Sequence, residues 1–275
     1  MASEATKSTV IGATPEGASD AHSAARAVRE MFTSIAPRYD LLNHVLSFNV
    51  DRLWWRRTAT AFADILRRPD PRVLDLCCGT GDMTFALHRQ AGNSSAQILG
   101  ADFSHAMLQR ALRKSSGRAA SGGLSAGNGS VSGQIAAKQV SSPCWIEADA
   151  LNLPFPNDHF DLVTSAFGFR NLADYDAGLR EIARVLRPGG ECGILDFSEP
   201  KGPMGRLYRI YFKHVLPRVG TMISGVRGPY AYLPASVERF PAPEEMLARM
   251  RLAGFHDVTW TPYTLGIAGL YRGRK

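Results

Sequence analysis

Apolar and polar positions follow two alternating periods along the middle of the chain. Arg72-Val-Leu-Asp-Leu76 is a short apolar run entered from Pro69 and Pro71, and it predicts a strand. Asp82 to Gln90 has helical spacing, with Asp82 placed to cap it. Further strands are predicted at Gln97–Ala101, Cys144–Glu147, Phe160–Thr164 and Glu191–Asp196. Helices are predicted at Ser104–Lys114, with Ser104 as the N-cap, and at Tyr175–Leu186, where Leu179, Ile182, Ala183 and Leu186 share a face. Pro188-Gly-Gly190 is expected to end the second of these sharply. Strands alternating with helices of this length predict a parallel sheet covered on both faces. The C-terminal runs Asp257–Thr261 and Gly266–Arg272 lie close together and predict an antiparallel pair.

Two aromatic-rich helical regions fall outside this alternation. One runs from Ser23 to about Leu66 and carries Phe32, Tyr39, Trp54, Trp55 and Phe62. The other runs from Met204 to Ile223 and carries Leu207, Tyr208, Tyr211, Phe212, Val215 and Leu216. Such stripes either pack a core or wall an apolar substrate cavity over the sheet edge. Two stretches are too polar or too small to bury. Residues 1–25 are expected to be a disordered tail, and residues 115–142, where 19 of 28 are Gly, Ser or Ala, a flexible surface insertion. The rest, 26–275, is expected to be a single domain, with 201–240 as a helical region that covers the substrate.

Composition narrows the class. With 275 residues, 45% apolar and 21% charged, the chain can bury a core. No run approaches a membrane span, and the first residues have neither the basic flank nor the apolar stretch of a secretory signal. Four cysteines, two of them adjacent at Cys77 and Cys78, make no disulfide framework, and no Cys or His spacing suits a metal. A reducing cytoplasm is therefore expected. The formal charge of +7 bears on acidic partners. Lys201 to Tyr230 contributes Lys201, Arg206, Arg209, Lys213, Arg218 and Arg227 with no acid. That stretch is either a solvated helix face or a surface for anionic lipid or an acidic substrate.

The chemistry concentrates after the first strand, in Asp75-Leu-Cys-Cys-Gly-Thr-Gly-Asp82. Gly79 and Gly81 let a ligand lie against the backbone at a helix N-terminus. Asp102, at the end of the second strand, can accept both hydroxyls of a ribose. Position 77 is Cys and Gly81 is followed by Asp82, so the loop is not the GxGxxG dinucleotide fingerprint. An acid there repels pyrophosphate and suits a nucleoside with a cationic or zwitterionic tail, such as S-adenosylmethionine. Asp149, after the third strand, can accept from an adenine amino group while Ala150 supplies a backbone N–H; alternatively Asp149 caps a turn.

Several motifs extend this reading. Val73-Leu-Asp-Leu-Cys-Cys-Gly-Thr-Gly-Asp82, Asp102-Phe-Ser-His-Ala-Met-Leu108, Leu153-Pro-Phe-Pro156 and Arg184-Val-Leu-Arg-Pro-Gly-Gly190 resemble class I S-adenosylmethionine-dependent methyltransferases, with their Rossmann-like α/β fold. Met31-Phe-Thr-Ser-Ile-Ala-Pro-Arg-Tyr-Asp-Leu-Leu-Asn43, Phe167-Gly-Phe-Arg-Asn171, Leu195-Asp-Phe-Ser-Glu-Pro200 and Tyr263-Thr-Leu-Gly266 are similar to the ubiquinone/menaquinone biosynthesis C-methyltransferases, most of all their demethylmenaquinone members. The resemblance runs from about residue 28 to the end. It implies a mostly parallel seven-stranded sheet with a C-terminal antiparallel hairpin and a helical N-terminal cap. It implies cofactor contacts at Thr80, Asp102, Asp149 and Ala150, with Gly79 and Gly81 in the loop. A Ser that the family carries before Phe-Gly-x-Arg-Asn is here Ala166, with Ser165 beside it.

The reaction implied is transfer of a methyl group to a ring carbon of a prenylated naphthoquinol, demethylmenaquinol to menaquinol, without a metal. Arg170 would stabilise the developing phenolate, Asn171 would orient a water or the quinol oxygen, Asp102 could accept the proton through that water, and Tyr39 would line the site. His44, His105, His159 and His214 have no partner pattern and are expected to be structural or on the surface. The alternatives are a ubiquinone-precursor benzoquinol, another small-molecule methyl acceptor, or a scaffold that binds the cofactor without turnover. A nucleic-acid substrate is not expected, since no Asn/Asp-Pro-Pro-Tyr run follows the fourth strand. The expected location is cytoplasmic, peripheral at the inner face of the plasma membrane on an anionic surface; a homo-oligomer is compatible with the sequence.

Overall fold

The computed structural model describes residues 20–36, 49–92, 94–122, 142–200 and 229–275, together with positions 12, 13, 15, 18, 47 and 205. Tyr39, the helix expected over 204–223 and nearly all of the basic stretch 201–230 lie outside the described residues.

Seven strands form one sheet in the order β3-β2-β1-β4-β5-β7-β6. They are β1 (Arg72–Leu76), β2 (Gln97–Asp102), β3 (Cys144–Glu147), β4 (Phe160–Ala166), β5 (Leu186–Phe197), β6 (His256–Tyr263) and β7 (Ala268–Arg274). The first five run parallel, and β7 pairs antiparallel with both β5 and β6. Strands β1 and β4 are buried on both faces, which explains their near-continuous apolar runs. The chain winds outward from β1 in one direction and from β4 in the other. Their carboxyl ends therefore flank the place where an open parallel sheet leaves a crevice.

Helices cover both faces. They are α1 (Ala21–Ile35), α2 (Val50–Ala61), α3 (Ala63–Leu66), α4 (Asp82–Ala91), α5 (His105–Gly122), α6 (Tyr175–Val185), α7 (Pro229–Arg239) and α8 (Pro243–Leu252). One face of the sheet packs Leu179, Ile182 and Val185 of α6 with Met246 and Met250 of α8. The other packs Trp54, Trp55 and Ala59 of α2, Ile65 and Leu66 of α3, and Met83, Ala86 and Leu87 of α4.

Several expectations need correction. The tail predicted over 1–25 is ordered in part. Helix α1 starts at Ala21, because Asp20 accepts from Ser23 N and the Ser23 hydroxyl accepts from Asp20 N, a reciprocal capping box. Upstream, Ala13 N donates to Leu172 O at 2.8 Å. Gly81, not Asp82, is the N-cap of α4, with φ of 87°, a left-handed conformation that glycine adopts at little cost. Helix α5 runs eight residues past Lys114 into the stretch read as an insertion, since Ser and Ala tolerate a helix once a packed turn has nucleated it. Pro188-Gly-Gly190 does not separate helix from strand: β5 already pairs at Leu186 with Phe160, and the Pro-Gly-Gly run is accommodated as an irregularity in register between the Phe160–Leu186 and Leu162–Glu191 pairs. Helix α8 is an addition. Its signals were present, with Pro243 at the start, Glu244 and Glu245 in the first turn, Met246 and Met250 on one face, and Arg249 and Arg251 at the end.

Candidate functional site

A cavity of about 590 Å³ opens at the carboxyl ends of β1, β2 and β4. That size is typical of small-molecule sites. Its polar end is lined by Asp75, Cys77, Cys78, Gly79, Thr80, Asp82, Asp102, Asp149 and Ala150. Its apolar end takes Trp54 from α2, Phe167, Phe197, and Tyr232 and Leu233 from α7, and α1 adds Val28, Met31, Phe32 and Ile35 to the lining while lying beside Phe103 and Ser104.

The loop after β1 is shaped by three left-handed residues, Cys77 (φ 54°), Gly79 (φ 54°) and Gly81 (φ 87°). Cys77 adopts this conformation despite its side chain, at a cost of about 1–3 kcal/mol. Its Cβ packs where a side chain on Gly168 would fall, 2.4 Å away. A Cβ on Gly81 would likewise stand 2.4 Å from the Trp145 ring. The loop is thus wedged between β3 and the turn after β4, and its backbone faces the cavity.

Asp102 is the centre of this end. It is buried, with Oδ2 accepting from Gly79 N and Oδ1 from Ser104 N, each at 2.8 Å. Each oxygen keeps capacity for a second hydrogen bond, which fits a ribose diol. Burial raises its pKa to about 6, against the pull of the Ser104 and Gly79 N–H groups and Arg29. Asp75, fully buried, accepts from the hydroxyls of Thr84 at 2.6 Å and Thr164 at 2.9 Å. Burial raises it to about 7, only partly opposed by those two hydroxyls. Asp75 is a site residue beyond those expected from the sequence, where an acid inside an otherwise apolar strand is its signal. Thr80 is buried and its hydroxyl accepts from Lys114 Nζ at 2.8 Å, while Lys114 also bridges to Asp82. Asp149 is exposed and caps its turn by accepting from Leu151 N at 2.9 Å, and it also lines the cavity. Ala150 and Ala166 line the wall, whereas Ser165 is buried beside it.

Arg170 and Asn171 sit on a 3-10 turn, Phe169–Asn171, directly after β4. Both line the cavity. Arg170 is bound to Asp196 of β5 in two ways: its N–H donates to Oδ2 at 3.0 Å and its Nη1 to Oδ1 at 2.9 Å. The same Nη1 also donates to Phe167 O. The pair is buried, with side chains 6% and 0% exposed. Asp196 therefore balances the charge of Arg170, which modifies the expectation of a free cation aimed at substrate. The guanidinium lies 5.2 Å from the Phe197 ring centre, and Phe197 is 4.6 Å from Phe167. Trp54 closes this wall from α2, its indole N–H donating to Thr264 Oγ1 at 2.8 Å. Of the histidines, His105 is an exposed partner of Glu147 and His159 stacks on Phe155, neither in the cavity.

The donor set fits S-adenosylmethionine. Carboxylates at 75, 102 and 149 line the polar end, Asp82 being paired with Lys114, while the one arginine on its wall, Arg170, is already paired. Such a lining favours a cation over a phosphate.

Comparison with known proteins agrees with this arrangement. Among solved structures, the cyclase SpnF superposes with a TM-score of 0.63 at 17% identity, over 97% of this chain and 99% of its own. A SAM-dependent methyltransferase from Thermotoga maritima, described as a possible histamine N-methyltransferase, gives 0.57 at 16% identity, over 90% and 99%. These likenesses establish the fold, a Rossmann-like α/β sheet shared by enzymes of different reactions. Sequence relatives are far nearer. A demethylmenaquinone methyltransferase from Deinococcus radiodurans is 47% identical over 251 residues, 91% of this chain and 93% of that protein. One from Thermus thermophilus is also 47% identical, over 89% of this chain and all of that protein. The ubiquinone/menaquinone biosynthesis C-methyltransferase UbiE of Geobacter sulfurreducens is 43% identical over 90% of this chain and 88% of that protein. The family model of the ubiE/COQ5 methyltransferases matches residues 19–275, so a chain with this loop, this Arg-Asn turn and this sheet belongs to the ubiE/COQ5 methyltransferase family.

Proposed function

We propose that the protein methylates a ring carbon of demethylmenaquinol to give menaquinol. The observation that carries this is one cavity with a carboxylate-lined nucleoside end and an aromatic end that meet at Arg170 and Asn171. The 47% identity to two demethylmenaquinone methyltransferases favours a naphthoquinol over a benzoquinol.

S-adenosylmethionine supplies an electrophilic methyl group carried on a sulfonium. Asp102 holds the ribose hydroxyls, Asp149 and Ala150 the adenine edge, and the backbone of Gly79 to Gly81 the tail. Asp75 remains close behind the loop as a further acid facing positive charge. On the other side, Phe167, Phe197 and Trp54 pack against one another into a single aromatic wall on which a flat ring can lie. The hydroxyl of a quinol pushes electron density onto the neighbouring carbon, and loss of the phenolic proton makes that carbon nucleophilic. Asn171 orients the quinol oxygen, and the Arg170 edge not bound by Asp196 stabilises charge growing there. Alignment of carbon and methyl group is the main catalytic work, worth up to roughly 7–11 kcal/mol.

No helix among the described residues is long and apolar enough to cross a membrane. A prenylated quinol resides in the bilayer, so the enzyme meets it at the surface; the six basic residues between Lys201 and Tyr230 are proposed to hold it on anionic lipid. The deciding experiment is transfer from labelled S-adenosylmethionine to demethylmenaquinol, in detergent, against a demethoxy-benzoquinol. Preferential labelling of the naphthoquinol supports the proposal. Equal labelling makes the enzyme dual, and no labelling of either refutes quinol methylation.

A further inference from the structure

Tyr232 projects from α7, a helix that packs against the 3-10 turn carrying Arg170 and Asn171. It lines the same cavity as those two residues. Its hydroxyl is buried and has no hydrogen-bond partner among the described residues. Two more buried atoms at this wall are also unpartnered, Asn171 Oδ1 and Arg170 Nε. Folded proteins rarely leave buried polar atoms unpaired, and three on one cavity wall mark where a ligand's polar group belongs. Their chemistry defines that group. Tyr232 O–H and Arg170 Nε–H donate, and Asn171 Oδ1 accepts, so the complement is an oxygen that accepts and also carries a proton. A hydroxyl on a flat ring stacked against Phe167 and Phe197 meets both conditions. Burial holds the Tyr232 phenol up at about 12, so it stays protonated and is a donor at neutral pH.

We propose that Tyr232 is a substrate-orienting residue whose O–H donates to the quinol oxygen beside the carbon that receives the methyl, while Asn171 Oδ1 accepts the proton side of that hydroxyl. This rests on the quinol reading given above. As the hydroxyl loses its proton and its oxygen gains negative charge, the bond from Tyr232 strengthens, so the residue acts on the transition state more than on the bound quinol. In the same step the new C–C bond forms as the sulfur–methyl bond breaks, leaving S-adenosylhomocysteine; the ring carbon then gives its proton to water to restore aromaticity, and the oxygen takes back the proton it had passed to water, so that one proton leaves overall.

The test is Tyr232→Phe, which keeps the ring and removes only the hydroxyl. Turnover of demethylmenaquinol is expected to fall about 10- to 100-fold, the loss of one hydrogen bond to a charged oxygen. S-adenosylhomocysteine affinity and thermal midpoint should stay at wild-type values, since the hydroxyl has no hydrogen-bond partner among the described residues. Tyr232→Ala serves as the packing control. Wild-type turnover by Tyr232→Phe with loss only in Tyr232→Ala would show that the ring merely fills space and would overturn the inference. A fall in S-adenosylhomocysteine affinity matching the fall in turnover would move Tyr232 to the cofactor and overturn it as well. Absence of quinol turnover by the wild-type enzyme would reject the functional reading itself, and this inference with it.

Discussion

At one end of the cavity stand Asp75, Gly79, Thr80 and Asp102, all from one strand–loop–helix–strand segment. At the other stand Trp54, Phe167, Phe197 and Tyr232, each from a different part of the chain. The first end is made of backbone shape and buried carboxylates, and its contacts are short-range hydrogen bonds such as Gly79 N to Asp102 at 2.8 Å. The second is made of ring faces, tilted against each other at 4.6–6.1 Å between centres. Directional bonds fix a polar ligand in one pose, whereas ring packing accepts any flat apolar body of the right thickness. The contrast explains why a shared cofactor end can serve relatives of different substrate range. Arg170 is the joint between them, bonded to the turn after β4, to β5 through Asp196, and lying on Phe197.

Breaking that joint should have the largest effect. Arg170→Met leaves Asp196 charged, buried and unpaired, so urea unfolding should show a loss of about 3–5 kcal/mol. Arg170→Met combined with Asp196→Leu should recover most of that stability but not methyl transfer. Equal stability of the single variant and the wild type would show that the pair carries no structural load.

The polar end should carry a pH signature that the aromatic end lacks. Asp75 and Asp102 are raised to about 7 and about 6 in the folded state, while an unfolded Asp titrates near 3.8. Between these values the folded protein binds protons that the unfolded chain has released. Stability from this source is therefore present at low pH and is lost as pH rises through about 6–7. Between pH 5 and pH 8 the loss assigned to Asp75 should be on the order of 2 kcal/mol, and Asp75→Asn should flatten that part of the profile. Urea midpoints at both pH values for the two proteins check it; parallel profiles would refute it.

Asp102→Ala sharpens the comparison by acting on one end only. It removes the proposed ribose acceptor and leaves the Gly79 and Ser104 N–H groups unpaired, so S-adenosylhomocysteine should bind about 1–3 kcal/mol more weakly by calorimetry. The KM for quinol, extrapolated to saturating cofactor, should change little. A loss shared equally between cofactor and quinol would mean that the two ends are not separable.

The smallest effect belongs to the aromatic wall. Trp54→Phe keeps a ring against Phe167 and Phe197 but loses the hydrogen bond to Thr264, costing about 1 kcal/mol of stability. It should raise the KM for quinol modestly and leave S-adenosylhomocysteine affinity unchanged, which steady-state kinetics and calorimetry together resolve.

Legibility in the sequence follows the same division. Strands β1, β2, β3 and β4 were predicted within two residues, because an apolar run of four to seven bounded by breakers has few other stable states. Helix α6 was equally plain from Leu179, Ile182 and Leu186. The boundaries that shifted were the ones decided by partners: β5 begins at Leu186 because Phe160 offers it a ladder, and α5 continues past Lys114 although Ser and Ala alone would not hold a helix.

The segment from Val73 to Asp102 determined most of the polar end, because loop, strand and carboxylate lie within a few turns of one another and local backbone geometry brings them together; Asp149 and Ala150 join it from the turn after β3. Only the tertiary structure decided the rest. Nothing local to Arg170 says that it pairs with Asp196, which lies one helix and one strand further on. Nothing local to Trp54 or Tyr232 says that they share a cavity. Apolar burial is non-directional, so an aromatic stripe states that a residue will be covered without stating by what. The partner is chosen when α2, β4, β5 and α7 close over the same end of the sheet.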